Sequence, residues 1–361
     1  MKAAISQIIK IINTFFFKVV KLGDNPHLKG KVLKHMHSQS FPYRGVFIPS
    51  VPEEAKTSLQ MYANRLKEEY IYTYSGRVII EPVFGWSIIA YRNLVKESVY
   101  SFNDEVKVPF PSIAQYFKPT KKVVTVDSAV VVRLGWFNYW HFFNDILGAI
   151  LLLRKEGLLQ SNVSILIPEG LSKMSYFIQS LELSDELRSY NWVVQDENTY
   201  VESSSTIYCR VLDNHRKQFD EVIKLFEPYL VKRATAAKIF VTRRGTKLRR
   251  LENFCEIEEL VQSYGYTVIA CEELSLKEQI EVFHNASHII GVHGAGLTNI
   301  IFRRSQQLNL LEIFPENNIP PNFFWLSASY GFSYNAVVGS KEVNGSFYLD
   351  PLKLESLLLG K

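Results

Sequence analysis

The chain has 361 residues, of which 47% are hydrophobic and 21% charged, and its formal net charge is +5. This composition is typical of a globular protein and excludes a mostly disordered chain, and the length predicts two domains. The mild positive charge fits an anionic substrate or a membrane surface, but without a clear basic stripe it argues against a nucleic-acid partner.

The first 20 residues combine apolar runs with lysines. Lys10 and Lys18 interrupt the apolar stretch, which is therefore too short to span a bilayer, and no convincing cleavage site follows it. The pattern predicts a basic amphipathic helix within an N-terminal segment, 1–40, that lies either on a membrane surface or on its own domain. Three widely spaced cysteines predict neither a zinc site nor a disulfide framework. We therefore expect a cytoplasmic protein, attached at most to the inner face of the membrane.

A first domain is predicted at 41–220. Residues 41–120 mix short β-like runs with proline, glycine and aromatic residues, which indicates an irregular, partly β region. A strand at 122–132 then leads to an apolar helix at 139–153. Further strand-like and helical runs lie at 164–168, 171–180, 192–194 and 205–208. Strands that alternate with helices in this way predict a parallel sheet with crossovers.

The apolar helix carries two polar residues, His141 and Asp145. Their spacing of four places them one turn apart on the same face. Burying such groups costs free energy unless they are paired or used. Two interpretations stay open at this point: a general base with a perturbed pKa, or a satisfied His–Asp hydrogen bond in the core.

A helical run at 219–232 predicts a linker, 221–237, before a second domain at 238–340. Strands are expected there at 238–242, 266–269, 289–292 and 309–314. Asn253 with Glu256, and Ser275 with Glu278, predict capping boxes at the starts of two helices. The pattern is that of a β-α-β-α-β-α-β domain of nucleotide-binding type. A last helix at 352–359, within 341–361, is expected to pack back on the domains.

Polar groups follow three of these strands at their carboxyl ends, where ligands bind in parallel sheets. The candidates are Arg243, Arg249 and Arg250 in a basic loop, Glu312 on a later strand, and the segment His293, Gly294, Ala295, Gly296, Leu297, Thr298 and Asn299. Arginines and the N–H groups of a helix start can bind a diphosphate, and a carboxylate can accept both hydroxyls of a ribose. His293 either contacts phosphate or shapes the turn. The alternative is an ordinary βα turn beside a solvated loop.

Several motifs occur in a fixed order: Asn138–Leu147, Val-Thr-Arg-Arg at 241–244, Gly-Val-His-Gly-Ala-Gly-Leu-Thr-Asn at 291–299, and Leu-Glu-Ile at 311–313. Together they resemble glycosyltransferase family 61. The resemblance implies an α/β fold of GT-B type, with two Rossmann-like domains facing a central cleft. It makes 41–220 the acceptor-side domain and 238–340 the nucleotide-sugar donor domain. It also implies an inverting transfer from a nucleotide sugar, usually UDP-linked, to a hydroxyl of a glycan or lipid-linked glycan, as in surface or capsular polysaccharide biosynthesis.

The resemblance assigns roles to individual residues. Arg243 matches the arginine after the first donor-domain strand, 293–299 the phosphate loop, and Glu312 the carboxylate of the following strand. His141 and Asp145 match the His-x-x-x-Asp helix, and we expect Asp145 to be the base with His141 as its partner, or His141 to be the base itself. Since the chain has no Asp-x-Asp pair, neither a metal nor another cofactor is expected. The alternatives are a sugar-phosphate transferase and a non-catalytic polysaccharide-assembly or glycan-binding protein.

Overall fold

The protein is described here by a computed structural model. It covers residues 11–25, 28, 32–37, 41–42, 53–60, 66–67, 69–99, 101–102, 105–106, 108–132, 138–211, 214–233, 237–304 and 306–360. The chain divides into two compact units, one formed by 1–39 with 68–211 and the other by 40–67 with 212–361. Both contain a sheet with helices, so the predicted α/β class is confirmed. The predicted domain boundaries and the GT-B arrangement stay predictions.

The first unit is built on a sheet of nine strands within the described residues. They are β1 (Lys18–Val20), β2 (Val32–His37), β3 (Tyr70–Ile80), β4 (Ser87–Ile89), β5 (Asn93–Val95), β6 (Lys122–Val131), β7 (Val163–Pro168), β8 (Asn191–Gln195) and β9 (Thr199–Arg210). Their order is β1-β5-β4-β3-β9-β6-β7-β8, and β2 pairs with β3. The strands β9, β6, β7 and β8 run parallel, as the crossover pattern predicts. The pairings of β2, β3, β4, β5 and β9 with one another are antiparallel.

Helices connect the parallel strands of the first unit. The predicted helix at 139–153 is a continuous helical stretch made of Tyr139–His141, a π-helical segment Phe142–Leu147, and Gly148–Lys155. The other α-helices of this unit are Ile113–Tyr116, Glu169–Ser172, Ser175–Leu183 and Asp185–Ser189. Short two-stranded pairs add Ser101–Phe102 with Glu105–Val106.

The N-terminal helix predicted over residues 2–20 is wrong at its carboxyl end. Residues 11–16 are helical, but Lys18–Val20 form β1, which pairs in parallel with Asn93–Val95. The β-branched residues Val19 and Val20 favour a strand when a partner strand offers hydrogen bonds. Residues 1–10 lie outside the described part of the chain. Among the residues that the structure describes, no helix is long and apolar enough to cross a membrane.

The second unit contains a five-stranded, fully parallel sheet. Its strands are β10 (Lys238–Val241), β11 (Thr267–Ile269), β12 (His288–Val292), β13 (Asn309–Phe314) and β14 (Ser333–Val338). The order is β11-β10-β12-β13-β14, so chain order reverses between β10 and β12. In doubly wound sheets the ligand crevice lies outside the carboxyl ends of the strands at this reversal. The topology therefore predicts that the residues that follow Val241 and Val292 line the ligand crevice.

Apolar strand faces and helices form the core of the second unit, around Phe240, Ile290, Ile313 and Val337. The α-helices are Glu53–Gln60, Arg216–Lys224, Phe254–Ser263, Leu276–Asn285, Asn322–Tyr330 and Pro351–Leu358, and 3-10 segments lie at Glu227–Tyr229, Cys271–Glu273 and Ala295–Arg303. Short strands Arg250–Leu251 and Ser346–Phe347 pair in parallel, and Phe41–Pro42 pairs with Leu66–Lys67. The helix interpreted as a linker is shorter than predicted and is interrupted before Pro228.

The two predicted capping boxes have different outcomes. At Ser275 the box is confirmed, since the Ser275 hydroxyl accepts from the Glu278 N–H and the Glu278 carboxylate accepts from the Ser275 N–H. At Asn253 it is wrong, because the Asn253 side chain accepts no hydrogen bond from the helix start, although its amide donates to the Glu256 carboxylate at 2.9 Å. Its amide donates to the Leu349 carbonyl at 2.8 Å and its oxygen accepts from the Leu349 N–H at 3.2 Å. The helix still begins at Phe254 as expected.

Candidate functional site

The crevice at the reversal point is formed by Arg243 on one side and Gly294 on the other. Arg243 follows β10 by two residues, and Gly294 follows β12 by two. A Cβ atom added to Gly294 would lie 1.7 Å from Arg243 Nη1, so the guanidinium rests directly on the Gly294 backbone. The φ of Gly294 is 174°, which any residue can adopt. Glycine is needed here for the close approach of Arg243 rather than for its backbone conformation.

Arg243 and Arg249 form a half-buried, incompletely neutralised pair of cations. Neither Nε atom has a hydrogen-bond acceptor among the described residues, although both atoms are buried. Burial, followed by the positive charge of Arg249, lowers the pKa of Arg243 to about 10. Burial also lowers the pKa of Arg249, and the Glu342 carboxylate opposes that shift. Both side chains stay protonated at neutral pH, and a bound anion would relieve their repulsion and supply the missing acceptors.

The loop that carries these arginines is held by the segment 342–346. The Arg249 N–H donates to Glu342 Oε1 at 2.8 Å, and the Arg250 N–H donates to the Gly345 carbonyl at 2.9 Å. Gly345 has a φ of +81°, and a Cβ there would lie 2.1 Å from the Lys247 carbonyl oxygen. The Arg250 side chain is exposed and donates to Ser346 Oγ at 3.1 Å. Arg250 therefore ties the loop to this segment, whereas Arg243 and Arg249 are the half-buried pair.

Arg244, which follows Arg243 in the sequence, forms an ion pair within the second unit. It makes two contacts with the Glu258 carboxylate, at 2.9 Å from Nε and 2.8 Å from Nη2. The Thr242 hydroxyl donates to the same carboxylate at 2.8 Å. These bonds connect the end of β10 to the helix Phe254–Ser263 and leave Arg244 little capacity to bind a ligand.

His293 belongs to a buried hydrogen-bond network below the crevice. Its Nδ1 lies 2.5 Å from Glu312 Oε1, and the Tyr334 hydroxyl donates to Glu312 Oε2 at 2.7 Å. The ring stacks on Phe314 and contacts Phe323, with centroid distances of 5.2 Å and 5.3 Å. Burial lowers the pKa of His293, against the attraction of Glu312. The network fixes the orientation of the imidazole.

Glu312 is fully buried, and both of its oxygens already accept hydrogen bonds from His293 and Tyr334. Burial, with the nearby Glu312 charge, raises the pKa of Tyr334 well above its ordinary value, so the phenol stays protonated and donates. The structure thus gives Glu312 a part in holding His293. Its predicted contact with a ribose stays a prediction.

The segment that follows His293 packs its side chains inward. Leu297, Thr298 and Asn299 are completely buried. The Thr298 hydroxyl donates to the Ala295 carbonyl at 2.6 Å, and the Asn299 amide donates to Gln279 Oε1 at 2.8 Å and to the Gly296 carbonyl at 3.0 Å. The stretch Ala295–Arg303 is a 3-10 helix rather than the predicted α-helix. These side chains shape the turn, and contacts with a ligand would come from its backbone.

The second group of predicted residues lies in the first unit. His141 Nδ1 lies 2.6 Å from Asp145 Oδ2, and the Asn144 amide donates to Asp145 Oδ1 at 2.7 Å. The side chains of His141 and Asp145 are 15% and 7% exposed, respectively. The structure thus confirms that the two residues share one face. A carboxylate held by two donors is well placed to orient an imidazole that keeps a small exposed surface.

The local backbone places this pair at an irregular part of the helix. Asn138 caps the helix by accepting from the His141 N–H at 3.0 Å. The π-helical segment begins immediately after His141 and includes Asp145. Segments of this kind are rare and occur frequently at functional sites. Whether the pair acts as a base or only stabilises the core stays a prediction.

Several neighbours of the predicted residues could not be found from sequence. Asn144 stands next to Asp145, and only adjacency could have suggested it. The Glu272 carboxylate, which lies near the basic loop, would be 2.9 Å from a Cβ added at Gly245. Glu272, Glu342 and Tyr334 come from separate loops and strands without a local motif. Cys271 is buried behind Gly296, and burial raises its pKa to about 12, so it is an unreactive thiol.

Among the described residues, no group of three or more histidine, cysteine, aspartate and glutamate side chains is arranged to hold a metal ion. In a comparison with models of protein families, the model described as Glycosyltransferase 61 matches residues 139–308. The matched range includes His141, Asp145, the basic loop and the segment 293–299. A comparison with curated proteins gives no match to this chain.

Proposed function

Because the family model described as Glycosyltransferase 61 matches residues 139–308, we propose that the chain is a glycosyltransferase of family 61 and that it transfers a sugar, with inversion, from a UDP-linked donor to a hydroxyl of a glycan acceptor. The observation that carries the proposal is the half-buried pair Arg243 and Arg249, whose buried Nε donors have no acceptor among the described residues. A diphosphate has the charge and the oxygen atoms that this pair lacks. The pair also lies at the reversal point of a doubly wound sheet, where nucleotides bind.

In the donor site, the two guanidinium groups bind the diphosphate and stabilise the charge that develops as it leaves. The close contact between Arg243 and Gly294 keeps one guanidinium against the backbone of the glycine turn, so backbone N–H groups and arginine face the same anion. Since two fixed cations can neutralise the leaving group, we propose that transfer needs no metal ion. His293 is held by Glu312 and positions the turn.

For the chemical step we assign the base to His141 and the positioning role to Asp145. Asp145 accepts the Nδ1 proton of His141, which leaves Nε2 as the proton acceptor; this tautomer is inferred from the hydrogen bond. Nε2 takes the proton of the acceptor hydroxyl while the oxygen of that hydroxyl forms a bond to the anomeric carbon. The bond from that carbon to the diphosphate oxygen breaks, and the diphosphate leaves with the electron pair. One base suffices because inversion is a single displacement.

Product analysis tests this reaction directly. Purified protein, incubated with a panel of UDP-sugars and oligosaccharide acceptors, should release UDP, and the new glycosidic bond should have the opposite anomeric configuration to the donor, as seen by proton NMR. Release of UMP would instead identify a sugar-phosphate transferase. Retention of the donor configuration would contradict the inverting mechanism, and loss of activity in EDTA that only a divalent metal restores would contradict metal independence.

We further propose that the N-terminal segment contacts a membrane, where a lipid-linked acceptor of surface polysaccharide biosynthesis would be found. Its helical residues expose Ile11 (50%), Ile12 (54%) and Phe15 (86%), a cluster of apolar side chains on a segment rich in lysine. Apolar residues beside lysines favour binding to anionic lipid surfaces.

Replacing Ile11, Ile12 and Phe15 by serine should therefore reduce flotation with vesicles that contain anionic lipid. The matched control is Leu352→Ser, which removes an equally exposed apolar side chain (71%) from the second unit. Equal flotation of the triple variant and the wild type would contradict membrane contact through this segment, without bearing on the transfer reaction.

A further inference from the structure

The first unit contains a cavity of about 710 Å³ that none of the predicted site residues lines. It lies against β1, β3, β4 and β5, and its lining includes Lys18, Tyr74, Arg77, Tyr91, Arg92 and Tyr116. Cavities of about 300–1,000 Å³ are the usual size of small-molecule sites. The lining residues fall between 18 and 116, outside the matched range 139–308.

The charged side chains that line this cavity are all positive. Three of its lining residues are cationic, and none of its lining residues in the described chain carries a carboxylate. Lys18 and Arg92 are exposed and form no ion pair with any residue that the structure describes. Arg77 is different, because its Nε and Nη2 donate to Glu202 at 2.9 Å and 2.8 Å. Glu202 thus holds the Arg77 guanidinium in place, whereas Lys18 and Arg92 have no carboxylate partner among the described residues.

Tyr91 is placed in this cavity by an unusual loop between β4 and β5. Ala90 and Tyr91 have φ values of +47° and +66°, and such a conformation is disfavoured for residues other than glycine. Tyr91 is also 70% exposed, although it is a large aromatic residue. A strained backbone that displays an exposed ring is typical of positions with a binding role.

The exposed Tyr91 ring together with the cations defines a class of ligand, whereas the Tyr74 and Tyr116 rings are buried in the wall of the cavity. Aromatic faces pack against the C–H faces of sugars and attract groups with partial positive charge, and Arg and Lys bind carboxylate and phosphate oxygens. A neutral sugar would not use the charges of Lys18 and Arg92, while a bare anion would not use the exposed Tyr91 ring. We propose that this cavity binds a saccharide that carries a carboxylate or phosphate group, and that this saccharide is part of the acceptor. The acceptor role rests on the proposed function.

Titration calorimetry on the full chain, without donor, tests the binding. The probes are tetragalacturonic acid, which carries carboxylates, glucose 1-phosphate, which carries a phosphate, and the neutral maltotetraose. We expect at least one anionic probe to bind and maltotetraose to bind at least tenfold more weakly. Comparing tetragalacturonic acid with glucose 1-phosphate distinguishes the binding of an acidic sugar from that of a phosphorylated one. Equal affinities for the neutral and anionic probes, or no binding of either anionic probe, would overturn the proposal.

Two variants locate the binding in this cavity. Arg92→Ala should lower the affinity for the anionic probe about tenfold, since it removes a charge-assisted hydrogen bond. Lys118→Ala, which removes an exposed cation of the same unit outside the cavity, should leave it unchanged. Tyr91→Gly should lower the affinity although it relieves the strained φ, so its unfolding temperature should be equal or higher. Unchanged affinity in both Arg92→Ala and Tyr91→Gly would place the binding elsewhere.

The same variants separate this inference from the proposed function. UDP binding and UDP release should persist in Arg92→Ala when a neutral acceptor is used, because the donor residues lie in the second unit. Absence of anion binding with intact transfer to neutral acceptors would overturn the inference alone. Anion binding in a protein that transfers no sugar would overturn the proposed function and leave a saccharide-binding cavity.

Discussion

Replacing Asp145 by asparagine is expected to lower the rate of transfer about 10²–10⁴-fold, the usual contribution of a general base, while the affinity for UDP stays unchanged. Asp145 and His141 are 2.6 Å apart, and the carboxylate holds the Nδ1 proton of the ring. An asparagine amide can donate to Nδ1 instead, which would place the proton on Nε2 and remove the base without altering the shape of the site. The measurement is kcat for UDP release, with calorimetry for UDP.

His141→Gln should cause a similar loss, and the double variant should be no worse than either single one, because residues that act as a unit are not additive. The control is Asp127→Asn, a neutralised carboxylate at an exposed position of the same unit. A fully active His141→Gln with an impaired Asp145→Asn would make Asp145 the base itself. Near-normal transfer by both single variants would remove the pair from the mechanism.

Replacing Arg243 by alanine is expected to weaken the binding of UDP about 10- to 100-fold, because a hydrogen bond to a charged group contributes about 1.5–3 kcal/mol. Gly294→Ala should give a similar loss for a different reason. Alanine can adopt the backbone conformation of Gly294, but its Cβ would occupy the place of Arg243 Nη1, 1.7 Å away. Since Nη1 is the far end of a flexible side chain, the guanidinium should move and the fold should survive.

A double-mutant cycle makes this prediction specific. If Gly294→Ala acts by displacing Arg243, then adding it to Arg243→Ala should have little further effect on UDP affinity, so the two losses should not add. Lys247→Ala removes an exposed cation from the same loop and should bind UDP like the wild type. Additive losses would mean that Gly294 acts independently of Arg243. Unaltered affinity in Arg243→Ala would exclude Arg243 from the donor site.

Much of the second unit could be predicted because its signals are local. Four of its five parallel strands, the Ser275 capping box and the helix Leu276–Asn285 follow from apolar runs and cap residues that act within a few positions. The spacing of His141 and Asp145 likewise determined that they share a helix face. The helix Asn322–Tyr330 and the strand Ser333–Val338 were not predicted, because the aromatic-rich sequence of the helix and the short sequence of the strand carry no clear period.

The sequence by itself therefore determined which residue types stand at the ends of the strands: arginines after Val241, a glycine turn after Val292 and Glu312 on the next strand. Only the tertiary structure decided what each of them does. Arg244 forms an ion pair with Glu258, and Arg250 donates a hydrogen bond to Ser346. Glu312 accepts hydrogen bonds from His293 and Tyr334. Arg243 and Arg249, by contrast, have Nε atoms without an acceptor among the described residues. The physical reason is that the charge and hydrogen-bond partners of each side chain come from loops distant in sequence, which the strand order of the sheet brings together. No local sequence pattern encodes these contacts.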